Sequence, residues 1–288
     1  FLFLSSCINI VLDILFITRL NMGVKGAAVA TVISQGISVV LCIVYIFKKT
    51  KMLVPKRRHF QADRAMYREL LGQGFSMGFM SSIVSAGSVI LQYGINGLGY
   101  LVIAAHTAAR KLYLFTSMPV ITMGMAFSTF VSQNRGADKG DRIRRGLRYV
   151  AVYDVAVTMA VVALMFFCAS GLVRWISGST EPEVLENGTL YLLIVSPFYM
   201  VLGVLIATRC ALQGLGQKLL PLVSSVIEFF GKILFVAAFI PRYQYMAVIF
   251  CEPVIWCVMT AQLLYTFYHD SYIRSFRKGQ RRHEDMER

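Results

Sequence analysis

The chain has 288 residues, of which 57% are hydrophobic and 15% charged, and its net charge is +14. A soluble domain is nearer 25% charged, and a mean hydropathy of +0.62 excludes an ordinary soluble core and points to a bilayer as solvent. The basic excess lies in short stretches between apolar runs, so it reads as loops facing anionic headgroups rather than as a nucleic-acid surface.

Eight apolar segments follow in order, at 1–18, 24–47, 70–96, 100–133, 147–174, 186–215, 219–240 and 244–269. Each reaches the roughly 20 residues that cross ~30 Å of hydrocarbon, the first only just. The first opens Phe1-Leu2-Phe3-Leu4, with neither Met nor a basic start. It resembles a chain cut in mid-helix rather than a signal peptide. It also carries Asn9 and Asp13, one helical turn apart and so on one face. Thr31 lies at a similar depth in the second segment. A carboxylate, an amide oxygen and a hydroxyl together can coordinate Na⁺ or hold a proton; the plainer alternative is an Asp that hydrogen-bonds a neighbouring helix.

Gly74 and Gly78 in the third segment form a GxxxG, read as packing. The fourth segment is longer than a span requires, and Pro119 in its middle predicts a kink with a cytoplasmic extension. His106, Arg110 and Lys111 lie inside it. Two adjacent cations cannot face lipid cheaply; at least one is expected to line a water-filled cavity, unless both snorkel or pair with Glu228 or Glu252. Asp154 in the fifth segment is expected near the cytoplasmic interface. In the seventh, Glu228 and Lys232 share a face, and Glu252 in the eighth lies roughly 12–14 Å deep by the helical rise. Lys232 is expected to pair with either acid, as a packing device or in a substrate or proton role, and Pro253 to open the last helix locally. The six cysteines all fall in apolar runs and form no CxxC pair, which argues against a disulfide framework or zinc site. No nucleophile–base pairing or metal spacing suggests an enzyme.

Loop charges give an orientation. Eight Lys and Arg lie between the second and third segments, Arg57 among them, six run from Arg135 to Arg148 around the fourth–fifth loop, and six lie in the tail; with Arg209 and Lys218 beside the sixth–seventh turn this makes 22 on one side. The other side has Arg19, Lys25, Arg174 and Arg242. The basic side, and with it both ends, is expected to be cytoplasmic. A shift of 219 residues lays Ile14-Leu15-Phe16-Ile17 on Ile233-Leu234-Phe235-Val236 and Ala28-Val29 on Ala247-Val248. The first hairpin thus resembles the last, as in carriers built from parallel repeats.

Three stretches carry a family resemblance. Asn9-Ile-Val-Leu-Asp13 with Gly26-Ala-Ala-Val-Ala-Thr31-Val-Ile-Ser is similar to the fifth and sixth helices of multidrug and toxic compound extrusion (MATE) transporters, prokaryotic DinF-like type. Ala104-Ala-His-Thr-Ala-Ala109 with Phe127-Ser-Thr-Phe-Val-Ser-Gln133-Asn134-Arg-Gly136-Ala137 resembles their eighth helix and following loop. Leu212-Gln213-Gly214-Leu215-Gly216 with Pro221 and Glu228 resembles the tenth and eleventh.

The resemblance implies an all-α polytopic fold of about eight transmembrane helices. Residues 1–47 would be the last two helices of an N-terminal six-helix lobe, 48–69 a basic linker, 70–269 a complete C-terminal lobe and 270–288 a basic tail. It implies an antiporter that exports cationic or amphipathic drugs in exchange for Na⁺ or H⁺ across the plasma membrane. Asn9, Asp13 and Thr31 would form the coupling site; Arg110, Lys111, Glu228, Lys232 and Glu252 would line the substrate cavity. No cofactor beyond the coupling ion is expected, and the partners would be a drug-like small molecule, the bilayer and missing N-terminal helices, without nucleic acid. The family's acidic residues on the seventh and tenth helices have no counterpart in segments 70–96 and 186–215. The alternative is a lipid-linked-oligosaccharide flippase of the same wider superfamily, whose basic cavity would suit Arg110 and Lys111.

Overall fold

The computed structural model describes residues 1–51, 54, 56 and 63–275. Among them, the longer elements are helices: α1 (Leu2–Ile14), α2 (Gly23–Lys49), α3 (Arg64–Asn96), α4 (Tyr100–Gly136), α5 (Gly140–Ser177), α6 (Pro182–Val195), α7 (Tyr199–Gly214), α8 (Leu219–Leu234) and α9 (Ile240–His269). A π segment, Leu15–Arg19, extends α1; a second, Phe235–Phe239, joins α8 to α9; a 3₁₀ turn, Ser196–Phe198, joins α6 to α7. Arg57, Arg58 and the tail cations from Arg277 onward lie outside the described residues.

Among the described residues, seven helical stretches are long and apolar enough to cross a membrane, so the chain is a multi-pass membrane protein. The sequence reading counted eight segments because it ended one at 240 and began another at 244. Helical structure instead runs 51 residues from Leu219 to His269, with Gln244 at φ 49° and ψ −131° inside it. A methyl group on Gly231 would come within 2.9 Å of Ile255. Twenty-four residues of straight helix would hold those positions about 36 Å apart, so the chain reverses at Gln244 and α8 lies against α9. The segment expected at 186–215 contains a 3₁₀ turn where Pro197 withholds a backbone donor. α5 begins at Gly140, so Arg142, Arg144 and Arg145, read as loop residues, belong to its first turns.

The helices divide into two units, Phe1–Tyr67 and the part from Arg68 onward. In the first, α2 buries Gly26, Ala30, Ser34 and Ser38, four small residues at successive i+4 positions. In lipid, where apolar surface gives helices no reason to leave the tails, close backbone approach drives association. Ser5 of α1 accordingly donates to the Ser34 carbonyl at 2.8 Å.

In the second unit α4 is central and packs against α5, α6 and α7. Glycines again set the distances. A methyl on Gly124 would lie 2.7 Å from Ile206, and one on Gly214 2.9 Å from the Ser128 carbonyl. α3 joins through Gly87, beside Phe229 and Lys232, and Gly94, beside Val236 and Ile240. The expected GxxxG packing is not met among the described residues: a methyl on Gly74 or Gly78 would touch nothing within 4 Å, and both glycines line an open groove of about 430 Å³ on α3. α4 runs through Pro119 as one 37-residue helix, about 55 Å by the helical rise.

The two π segments lie 220 residues apart, close to the offset at which the sequence repeats. Each closes the first helix of a hairpin. A left-handed residue follows each one: Asn21 (φ 50°) in the first hairpin and Gln244 (φ 49°) in the last.

Candidate functional site

Five charged side chains of the second unit form two clusters, ranging from Lys232, 2% exposed, to Arg110, whose side chain is 33% exposed. The first spans α4, α6 and α9. Arg110 forms an ion pair with Glu252 and donates to the Tyr191 hydroxyl at 3.3 Å. Its guanidinium carbon lies 4.4 Å from the centre of the Tyr113 ring, and Tyr113 stacks on Trp256. The arrangement gives a partly buried guanidinium an acid, a hydroxyl and a π face. Below this, His106 approaches the Tyr245 hydroxyl through Nδ1 at 3.4 Å and meets the Tyr191 ring edge-on. Tyr199 and Thr116 share a hydroxyl–hydroxyl bond of 3.0 Å. Tyr113, Tyr191, Tyr199 and Tyr245 are themselves buried, and the Tyr191 hydroxyl reaches the Arg110 charge.

The second cluster spans α3, α7 and α8. Lys232, 2% exposed, donates to Glu228 at 2.8 Å and to Ser88 at 3.4 Å. Arg209 Nη2 lies 4.0 Å from the other oxygen of Glu228. Two cations thus share one carboxylate, in a helix pair where an unpaired charge costs several kcal/mol.

The sequence left Lys232 a choice of Glu228 or Glu252. It bonds Glu228, because Arg110 takes Glu252. Arg110 and Lys111 part company: consecutive helical residues differ by about 100° in direction, so Arg110 turns inward and Lys111 is exposed. Arg209, counted with the cytoplasmic loop charges although it falls inside segment 186–215, lies in α7 with its side chain 17% exposed. Its position within an apolar run was the available signal. The aromatic partners Tyr113, Tyr191, Tyr199, Tyr245 and Trp256 were not singled out; Tyr113, one turn after Arg110, was the one such partner readable from spacing alone. Asp154, expected at an interface, is 0% exposed between helices.

In the first unit, Asn9 donates to the Thr31 hydroxyl at 3.5 Å, and Thr31 donates to the Ala27 carbonyl at 2.9 Å. Asp13 is half-buried, and its Oδ1 makes no hydrogen bond among the described residues. The Asn9 side-chain oxygen, a Thr31 lone pair and Asp13 Oδ1 are the donors that a monovalent cation could use here.

The family model MatE matches residues 77–237. The probable multidrug resistance protein YpnP of Bacillus subtilis is 23% identical over 80% of this chain and 51% of its own length. A FAD transporter of Shewanella oneidensis is 26% identical over 76% of this chain and 49% of its own. The chain spans about half the length of these relatives. The fold matches the crystal structure of the Vibrio cholerae MATE transporter VcmN in its bent form, with a TM-score of 0.83, 17% identity, and coverage of 95% of this chain and 61% of that one.

Proposed function

The chain belongs to the MatE family, and from that premise we propose that it works as part of a secondary active antiporter, exporting cationic or amphipathic compounds in exchange for Na⁺ or H⁺. Membership places it among membrane transporters rather than enzymes. The observation that carries the reading is five paired charges inside apolar helices, Lys232 and Glu252 buried and Arg110, Arg209 and Glu228 partly buried. Ionisable groups are costly at membrane depth and are retained on substrate and ion routes. The Arg110–Glu252 cluster, with its ring of tyrosines, is the proposed substrate-facing wall, and Asn9, Asp13 and Thr31 the proposed coupling site. Eight crossings, a plasma-membrane location and two cytoplasmic ends complete the reading; the reversal at Gln244 and the loop charges support them. The multidrug description of YpnP gives the flippase alternative no support.

One observation favours a second reading of the cargo. Among the described residues these two clusters hold three cations and two acids, an excess that suits an organic anion, and one relative bears the name FAD transporter. Inside-out vesicles carrying the protein decide between these cargoes. Uptake of a cationic dye driven by an imposed Na⁺ or H⁺ gradient supports the first. Uptake of a flavin nucleotide but not of the dye supports the second. Failure of both gradients to drive either compound refutes the antiporter.

A further inference from the structure

Asp154 belongs to neither charge cluster. It sits in α5, and its side chain is 0% exposed. Neither carboxyl oxygen makes a hydrogen bond among the described residues. α7 passes directly over it: a methyl group on Gly203 would land on the Asp154 carboxyl and 2.7 Å from Val120 of α4. Gly203 is eleven residues from the end of α7 at Gly214, about 16 Å by the helical rise, well inside a span. On the next turn of the same face, Thr158 is 4% exposed and its hydroxyl also lacks a partner. Ser196, 1% exposed, in the 3₁₀ turn that packs on α5, is likewise unpartnered.

Among the described residues no ion pair reaches this carboxyl. The titratable groups on the helices around it are engaged elsewhere. Arg110 holds Glu252 and Tyr191, and covers Tyr113. Tyr199 bonds Thr116, and Arg209 faces Glu228. On α5 itself Arg148 is exposed and Tyr153 half-buried.

A carboxylate ion without counter-charge or donor in such a place costs more than several kcal/mol, so the group either neutralises or takes a cation. A cation requires several oxygen ligands and a space about the size of a water. At 0% exposure nothing the size of a water reaches Asp154. A proton requires no space at all.

We propose that Asp154 is a proton-binding site of the second unit, occluded in this conformation beneath Gly203 and separate from the Asp13 site. It takes up one proton when α7 moves off α5 and releases it when the helices part on the other side. Thr158 and Ser196 are the hydroxyls next to that route. The role in exchange rests on the antiporter reading; the protonation does not.

Infrared spectroscopy tests it on the protein reconstituted in lipid, without transport. The Asp13→Asn background removes one of the two other carboxyls with an unbonded oxygen among the described residues, Asp13 and Asp141; Asp141 stays in every variant compared, so the Asp154 change is read as a difference. In that background the protein should show a protonated-carboxyl C=O band at neutral pH. Asp154→Asn, which copies the shape of the neutral acid, should remove one carboxyl's worth of that band. Asp154→Leu serves the same comparison if the Asn variant is poorly folded. Absence of the band in the Asp13→Asn protein, its undiminished survival in either Asp154 variant, or its disappearance on adding Na⁺ at constant pH overturns the proposal. Loss of the band in a protein that no proton gradient drives would sustain the site and refute H⁺ exchange instead.

Discussion

Lys232→Met isolates the energetics of the shared carboxylate. Methionine keeps most of the volume beside Gly87, where the lysine stem lies 3.2 Å from a would-be methyl group, so the change removes charge with little cavity. Glu228 then loses a 2.8 Å bond and keeps only Arg209 at 4.0 Å. Breaking a buried pair costs about 3–5 kcal/mol, and the surviving arginine argues for about 3. For a helical unit of this size that lowers the melting temperature by about 6–12 °C. Glu228→Gln should be worse, since it leaves two cations side by side with no acid. Arg209→Met should be mildest, because it leaves the shorter pair intact. Melting curves of the purified variants in detergent, read by tryptophan fluorescence, give the ranking. If Lys232→Met melts within about 2 °C of the unaltered chain, or if Glu228→Gln is the mildest of the three, the cluster is solvated and the reasoning fails.

Asp13→Asn should abolish ion-driven dye export at normal membrane levels, and Thr31→Ala should weaken it less, since water can replace a hydroxyl ligand; wild-type export by Asp13→Asn under both gradients would refute the coupling role. Gly203→Leu should cost about 1–3 kcal/mol by overpacking, while Gly171→Ala, which meets nothing within 4 Å, should be neutral or slightly stabilising by up to about 1 kcal/mol; equal melting temperatures would contradict the packing at Asp154. A cytoplasm-only reporter should be active when inserted near Arg57 and silent near Glu181, and activity at Glu181 would reverse the orientation. Lys111→Ala, on an exposed face, should change stability by less than about 0.5 kcal/mol, whereas a drop as large as that of Arg110→Ala would show that the two cations act together.

The spans were legible because apolar length is nearly all that a bilayer demands. The Glu228–Lys232 bond was legible as one of two options, since i,i+4 spacing is a property of one helix. Arg110 with Glu252 was only one of several open pairings: 142 residues separate them, and no periodicity says which faces meet. Asp154 was misplaced for a related reason. Its depth was counted along α5 alone, but its burial depends on Gly203, a residue with no side chain to announce it. Arg209 was lost because it was counted with the loop charges, although it lies six residues inside segment 186–215. The site residues of α4 and α9 were found through their charge; their aromatic partners were not, because tyrosine inside an apolar run looks like any other bulky residue.

Two π segments, Leu15–Arg19 and Phe235–Phe239, lie at matching places in two hairpins. A π segment is an α-helix that carries one residue more than its register can absorb. Each hairpin therefore holds a spare residue. Elsewhere in these helices a single-codon deletion would rotate everything beyond it by about 100° and turn buried faces to lipid. Within either π segment the same deletion would leave an ordinary α-helix, with the following turn drawn slightly closer. Gene copies of this chain that have lost one codon should accumulate at those two places and be purged from the rest, which makes the bulges the points where the helical reading frame of the protein can be edited.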